Sequence, residues 1–96
     1  MKEQRRIDLE KLRTEIDVID KEIIVLLANR FRLTHNVGQL KLTHSLDVVD
    51  EHRESRQFKQ IIAWAVENEL NPEIAVSFLR FIIDKVVIEH KNLKEN

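Results

Sequence analysis

The chain has 96 residues, of which 16 are basic and 17 acidic, and it carries a formal net charge of −1 with no cysteine. This length fits a single domain over residues 1–96, the balanced charge disfavours nucleic acid as a partner, and the missing cysteine excludes disulfides and thiol catalysis. No apolar run approaches the roughly 18 residues of a membrane helix, and the charged start lacks the apolar core of a secretory signal, so we expect a cytoplasmic protein without a membrane partner.

The composition favours long helices with few connections. The chain holds one glycine and one proline, and hairpins and tight β turns depend on such residues. We therefore predict an all-α fold of three helices per protomer.

The first predicted helix is long and has the apolar seam of a coiled coil. Its apolar residues recur at alternating steps of 3 and 4, at Leu9, Leu12, Ile16, Ile19, Ile23 and Leu26. The pattern predicts a helix from about Asp8 to about Leu42, roughly 50 Å long at about 1.5 Å per residue. One chain of this size has too little other material to cover such a helix, so we expect a homodimer in which a second copy covers it.

One position breaks the seam, which continues through Arg30, Leu33, Val37 and Leu40. An unpaired buried guanidinium is costly, so an anionic group of the protein or of a ligand must meet Arg30. An acid across a helix interface, or snorkelling to its edge, would serve as well as a ligand.

Two further cations bear on Arg30. Lys41 lies eleven residues later, close to three full turns, so both side chains project from nearly one face and could grip a small dianion; a solvated Lys41 is the alternative. Arg13 lies about 100° around the helix from Arg30 and roughly 25 Å away. Arg13 and Arg30 of one chain therefore cannot readily bind the same small molecule. In a paired-helix dimer, however, Arg13 of one copy can approach Arg30 of the other. For Arg13 alone, a surface role is the simpler interpretation.

Two shorter helices follow. Four residues offer N-caps for a helix from about Asp50 to Asn68, namely Thr43, Ser45, Asp47 and Asp50. This helix is expected to bury Phe58, Ile61, Ile62, Trp64 and Ala65. Asn71 as N-cap, Pro72 at the first position and Glu73 in the first turn predict a third helix. Its apolar residues are Ile74, Phe78, Phe81, Ile82, Val86 and Ile88.

The opening of the second helix is polar. Asp50, Arg53 and Glu54 share one face at spacings of three and four, either as a cap with local ion pairs or as a cluster that faces a pocket. The four histidines form no HExxH motif, and no glycine-rich phosphate loop occurs, so we expect neither a metal nor a cofactor.

Four segments in order resemble the AroQ-type, all-helical chorismate mutases, from about Leu9 to about Lys91. They are LRTEIDVIDKEIIVLLANRFRL, VGQLK, DVVDEHRE and FLRFIIDKVVIEHK. The resemblance implies an intertwined homodimer with two active sites. It also implies that each site takes Arg30, Lys41, Asp50, Arg53 and Glu54 from one chain and Arg13 from the other. In such enzymes the arginines hold the two carboxylates of chorismate, the lysine donates to its ether oxygen and a carboxylate, and the glutamate, with help near Asp50, binds the ring hydroxyl.

Two positions depart from the pattern of that family. His90 stands where the third helix often carries a glutamine or glutamate that reaches the ether oxygen, and Val86 replaces a small polar residue one turn earlier. His90 either donates to the ether oxygen, which would make activity vary with pH between about 5 and 8, or points to solvent near a fraying end.

The function implied is the conversion of chorismate to prephenate, in aromatic amino acid biosynthesis by the shikimate pathway. This Claisen rearrangement needs no nucleophile, metal or redox cofactor, and we expect Lys41, Arg30 and His90 to act in it. An isochorismate pyruvate lyase and a non-catalytic helical dimerisation or regulatory module are the alternatives, the latter favoured by Val86 and His90. A free-standing enzyme and one domain of a larger protein both fit the sequence.

Overall fold

The computed structural model describes residues 1–95, and these residues form three α-helices and no strand. The helices are α1, Lys2–Thr43; α2, Glu51–Glu67; and α3, Pro72–Glu95. The predicted all-α class with a long N-terminal helix is confirmed. Within residues 1–95, no helix is both long enough and apolar enough to cross a membrane.

The chain divides into two compact units. One is Met1–Leu33, which consists almost entirely of α1, and the other begins at Thr34 and contains the end of α1 with α2 and α3. In the first unit most of the seam is exposed to solvent, from 45% at Leu9 to 67% at Leu26.

The start of α1 differs from the prediction. The helix begins at Lys2 rather than near Asp8, because the preceding residues are good helix formers and contain no helix breaker. Glu3 in the first turn suits the helix dipole. Asp8 lies inside the helix, where its Oδ1 accepts a hydrogen bond of 3.0 Å from Gln4 Nε2.

The start of α3 confirms the predicted cap, and the start of α2 selects one of the four candidates. Asp50 is the N-cap of α2, and its carboxylate accepts from the Arg53 backbone N–H at 3.0 Å. Asn71 Oδ1 accepts from the Glu73 backbone N–H at 2.9 Å, and Pro72 is the first residue of α3. Both caps supply partners for backbone donors that a helix start leaves unpaired.

The ends of α1 and α2 form the same type of turn, which the sequence did not indicate. Ser45 and Glu69 have φ values of 54° and 56°. The Leu46 N–H donates to the Lys41 carbonyl at 2.8 Å, and the Leu70 N–H donates to the Ala65 carbonyl at 2.8 Å. This is the Schellman arrangement, which usually has glycine at the left-handed position.

The packing of α2 against α3 forms the core of the second unit. Its buried apolar residues are Ala65, Ala75, Leu79, Ile82 and Ile83. The predicted burial is confirmed for Ala65, but in this single chain Trp64 is 56% exposed. On α3, Ile82 is buried, whereas Phe81 is 59% exposed. The contact face of α3 contains residues at helical spacing, from Ala75 through Leu79 to Ile82 and Ile83. Also exposed, to a lesser or similar extent, are Ile62, Ile74, Phe78 and Ile88.

Candidate functional site

A cavity of about 140 Å³ lies in the second unit, where the end of α1, the loop before α2 and the end of α3 meet. It is lined by Gly38, Lys41, Leu42, Ser45, Leu46, Val48, His90 and Lys94. Two of these residues are lysines, and no acidic residue of the described chain is among them. A concave site with this charge favours an anionic ligand.

Lys41 reaches this cavity from the last turn of α1, where a cation suits the helix dipole. The side chain is half-buried, and its Nζ donates to the Val48 carbonyl at 2.8 Å. An ammonium group has three hydrogens to donate. The bond to Val48 therefore fixes the position of Nζ and uses one of the three.

His90 forms another part of the cavity wall and is buried, with 5% of its surface exposed. Its Nε2 lies 2.8 Å from the Thr34 carbonyl oxygen, so Nε2–H is the donor because a carbonyl can only accept. The alternative in which His90 points to solvent is therefore wrong. With Nε2–H committed to Thr34, the ring has a second N–H, at Nδ1, only when it is protonated.

Gly38 permits this position of the imidazole ring. A Cβ atom at Gly38 would lie 2.6 Å from His90 Cδ2 and 2.8 Å from His90 Nε2. Real Cβ atoms do not approach other atoms so closely, so a side chain here would displace the ring. The single glycine of the chain thus allows α1 and α3 to approach closely at this point.

The polar start of α2 contains the cap of that helix, because the Asp50 carboxylate accepts from the Arg53 backbone N–H. Asp50, Arg53 and Glu54 are not among the described residues that line the cavity. The backbone N–H of Arg53, followed by the positive charges of Arg56 and Lys41, lowers the pKa of the Asp50 carboxyl. Arg53 is exposed and Glu54 is half-buried.

The other predicted site residues lie elsewhere. Val86 is half-buried on α3. Arg13 and Arg30 belong to the first unit: Arg13 is exposed and its Nη1 lies 2.9 Å from Glu10 Oε1, while Arg30 is half-buried. Of the predicted residues, the structure thus brings Lys41 and His90 to one cavity.

Several residues of the cavity were not predicted from the sequence. Lys94 lies four residues after His90, and this spacing alone would have placed both on one face of α3. Val48 contributes its backbone carbonyl, for which the sequence carries no signal. Ser45 and Leu46 belong to the unpredicted turn after α1.

Comparison with known proteins gives a family match over most of the chain. Residues 12–91 match a family model described as chorismate mutase type II. A bifunctional chorismate mutase/prephenate dehydratase from Buchnera aphidicola subsp. Schizaphis graminum is 31% identical over 86 residues, which cover 90% of this chain and 22% of that protein.

Two further relatives match shorter parts of the chain. A bifunctional chorismate mutase/prephenate dehydratase from Aquifex aeolicus is 38% identical over 55 residues, 57% of this chain and 15% of that protein. The T-protein of Haemophilus influenzae is 44% identical over 46 residues, 48% of this chain and 12% of that protein. The chain therefore spans about a fifth or less of the length of these relatives.

Proposed function

The chain belongs to the chorismate mutase type II family, as its sequence segments predicted, and from this premise we propose that it converts chorismate to prephenate. The observation that carries the proposal is the family match over residues 12–91. The cavity lined by Lys41, His90 and Lys94 supports it, because chorismate is a small dianion.

The reaction breaks an ether C–O bond and forms a C–C bond within one molecule. The protein must hold a flexible substrate in its compact reactive shape, and it must stabilise the negative charge that develops on the ether oxygen. Positioned cations can do both. We assign the contact with the ether oxygen to Lys41, because Val48 already fixes its ammonium group and leaves two hydrogens for a ligand.

The remaining predicted residues are given the roles that the family resemblance implies. Arg30 and the partner's Arg13 would hold the carboxylates of chorismate, and Arg53 can fork onto a carboxylate. Glu54, near Asp50, would accept a hydrogen bond from the ring hydroxyl. His90 would act on the ether oxygen only through Nδ1 of a protonated ring, since its Nε2–H is bonded to Thr34.

We further propose that the active protein is an intertwined homodimer. The support is the seam, which contains apolar residues at coiled-coil spacing that stay exposed in one copy, such as Ile16 at 54%, Leu26 at 67% and Leu33 at 65%. A cavity of about 140 Å³ is also smaller than the usual ligand pocket of about 300 Å³ or more. A second chain that contributes Arg13 would cover the seam and complete the site.

The test is a turnover assay on chorismate and on isochorismate with identification of the products. We expect loss of chorismate with formation of prephenate. Release of pyruvate from isochorismate, with no prephenate from chorismate, would instead identify a lyase. If neither substrate is consumed, the non-catalytic helical module is correct and the proposal is wrong.

A further inference from the structure

We propose that Lys94 is a substrate-binding residue that holds a carboxylate of the substrate, an inference that rests on the proposed function. Lys94 lines the cavity together with Lys41 and His90. No acidic residue of the described chain lines this cavity to pair with the two ammonium groups. An anionic ligand would supply the missing negative charge.

The position of Lys94 on α3 supports this role. It lies four residues after His90 and eight after Val86, so all three residues fall near one face of the helix. Val86 has no side-chain donor, and the Nε2–H of His90 is bonded to the Thr34 carbonyl. Lys94 is thus the residue of this face that presents a permanent charge to the cavity.

Stabilisation of the helix end does not explain why Lys94 lies at the cavity. A lysine in the last turn favours the helix dipole wherever it points. Lys91 is also exposed near this end of α3, but it is not among the residues that line the cavity. Lys91 therefore serves as a matched control for Lys94.

The proposed contact predicts a particular kinetic effect. A substrate carboxylate keeps its charge throughout the rearrangement, so Lys94 would bind the ground state and the transition state about equally. Loss of such uniform binding raises KM and leaves kcat unchanged. A purely structural role of Lys94 would not separate the two constants in this way.

The experiment compares the full chain with its Lys94→Met, Lys94→Arg and Lys91→Met variants in the chorismate assay. We expect Lys94→Met to raise KM about 3- to 5-fold with kcat within about twofold, in the range of one partly exposed charge contact. Lys94→Arg should retain most of the affinity, and Lys91→Met should behave as the unchanged protein. Circular dichroism verifies that each variant is folded.

Two results would overturn the inference about Lys94: an unchanged KM in Lys94→Met, or an equal rise of KM in Lys91→Met. If the unchanged protein does not consume chorismate, the proposed function fails. Binding of chorismate, measured by calorimetry, then tests separately whether Lys94 contacts this ligand. Weaker binding by Lys94→Met than by Lys91→Met supports the inference, and equal binding contradicts it.

Discussion

Replacing Lys41 with methionine is expected to lower kcat for chorismate by about 10²- to 10³-fold, the usual effect of removing one positioned donor from a developing oxyanion. Methionine retains the length and much of the apolar stem of lysine but loses the ammonium group. The charge on the ether oxygen grows as the C–O bond breaks, so the lost interaction is stronger in the transition state than in the ground state. The effect should therefore appear in kcat.

The same substitution removes the hydrogen bond from Nζ to the Val48 carbonyl. This loss is expected to lower the free energy of unfolding by about 1–2 kcal/mol, so activity should be measured where circular dichroism shows a folded variant. Lys59→Met is the matched control, because Lys59 is an exposed residue of α2 and not among those that line the cavity. A kcat of folded Lys41→Met within a few fold of the control would remove Lys41 from the mechanism.

Replacing Gly38 with alanine is expected to lower the free energy of unfolding by about 1–3 kcal/mol, the usual cost of overpacking. In an unobstructed helix the change would raise stability by about 1 kcal/mol. Here the new Cβ would lie 2.6 Å from His90 Cδ2 and 3.0 Å from Leu93 Cδ1. The imidazole ring is buried and bonded to Thr34, so it cannot move aside without losing that bond.

Urea unfolding at a fixed protein concentration measures this effect, because the stability of the proposed dimer would depend on concentration. His90→Ala provides the matched background, since it removes the ring that the new Cβ would strike. In that background Gly38→Ala should be neutral or stabilising, so the two changes should couple in a double-mutant cycle. An increase in stability from Gly38→Ala alone would show that the close contact with His90 does not matter.

The start of a helix was predictable from the sequence where a single capping residue determines it. Asp50 and Asn71 have short polar side chains that accept from backbone N–H groups. The sequence therefore identified Asn71 as a cap and included Asp50 among four candidates. The ends of α1 and α2 were harder to predict, because Ser45 and Glu69 adopt a left-handed conformation that is usually occupied by glycine. The start of α1 was placed too late because several helix formers precede Asp8 without a cap.

The site was predictable where a side chain interrupts a pattern. Lys41 was singled out by its spacing from Arg30, and His90 by its departure from the family pattern, and both line the cavity. The role of Gly38 was not predictable, because it depends on a contact with a residue 52 positions later. The position of the Val48 carbonyl was not predictable either, because it depends on a loop conformation that the side chains of that loop do not specify.

The exposed seam gives Arg30 a physical reason for its place among apolar residues. If a second α1 covers the seam, the packed helices would part at Arg30 around an anionic ligand, which the guanidinium would contact. The same arrangement would explain how Arg13 can serve a site that contains Lys41 of another copy. We therefore propose that each site is built from two chains.

Complementation between two inactive variants tests this claim most directly. Arg13→Ala and Lys41→Met are unfolded together in equal amounts, refolded, and assayed on chorismate beside each variant refolded alone. Random pairing makes half of the dimers mixed, and each mixed dimer has one site with both residues intact, so activity should return to about a quarter of the unchanged protein. Activity in the mixture no higher than the mean of the two variants alone would contradict a site shared between chains.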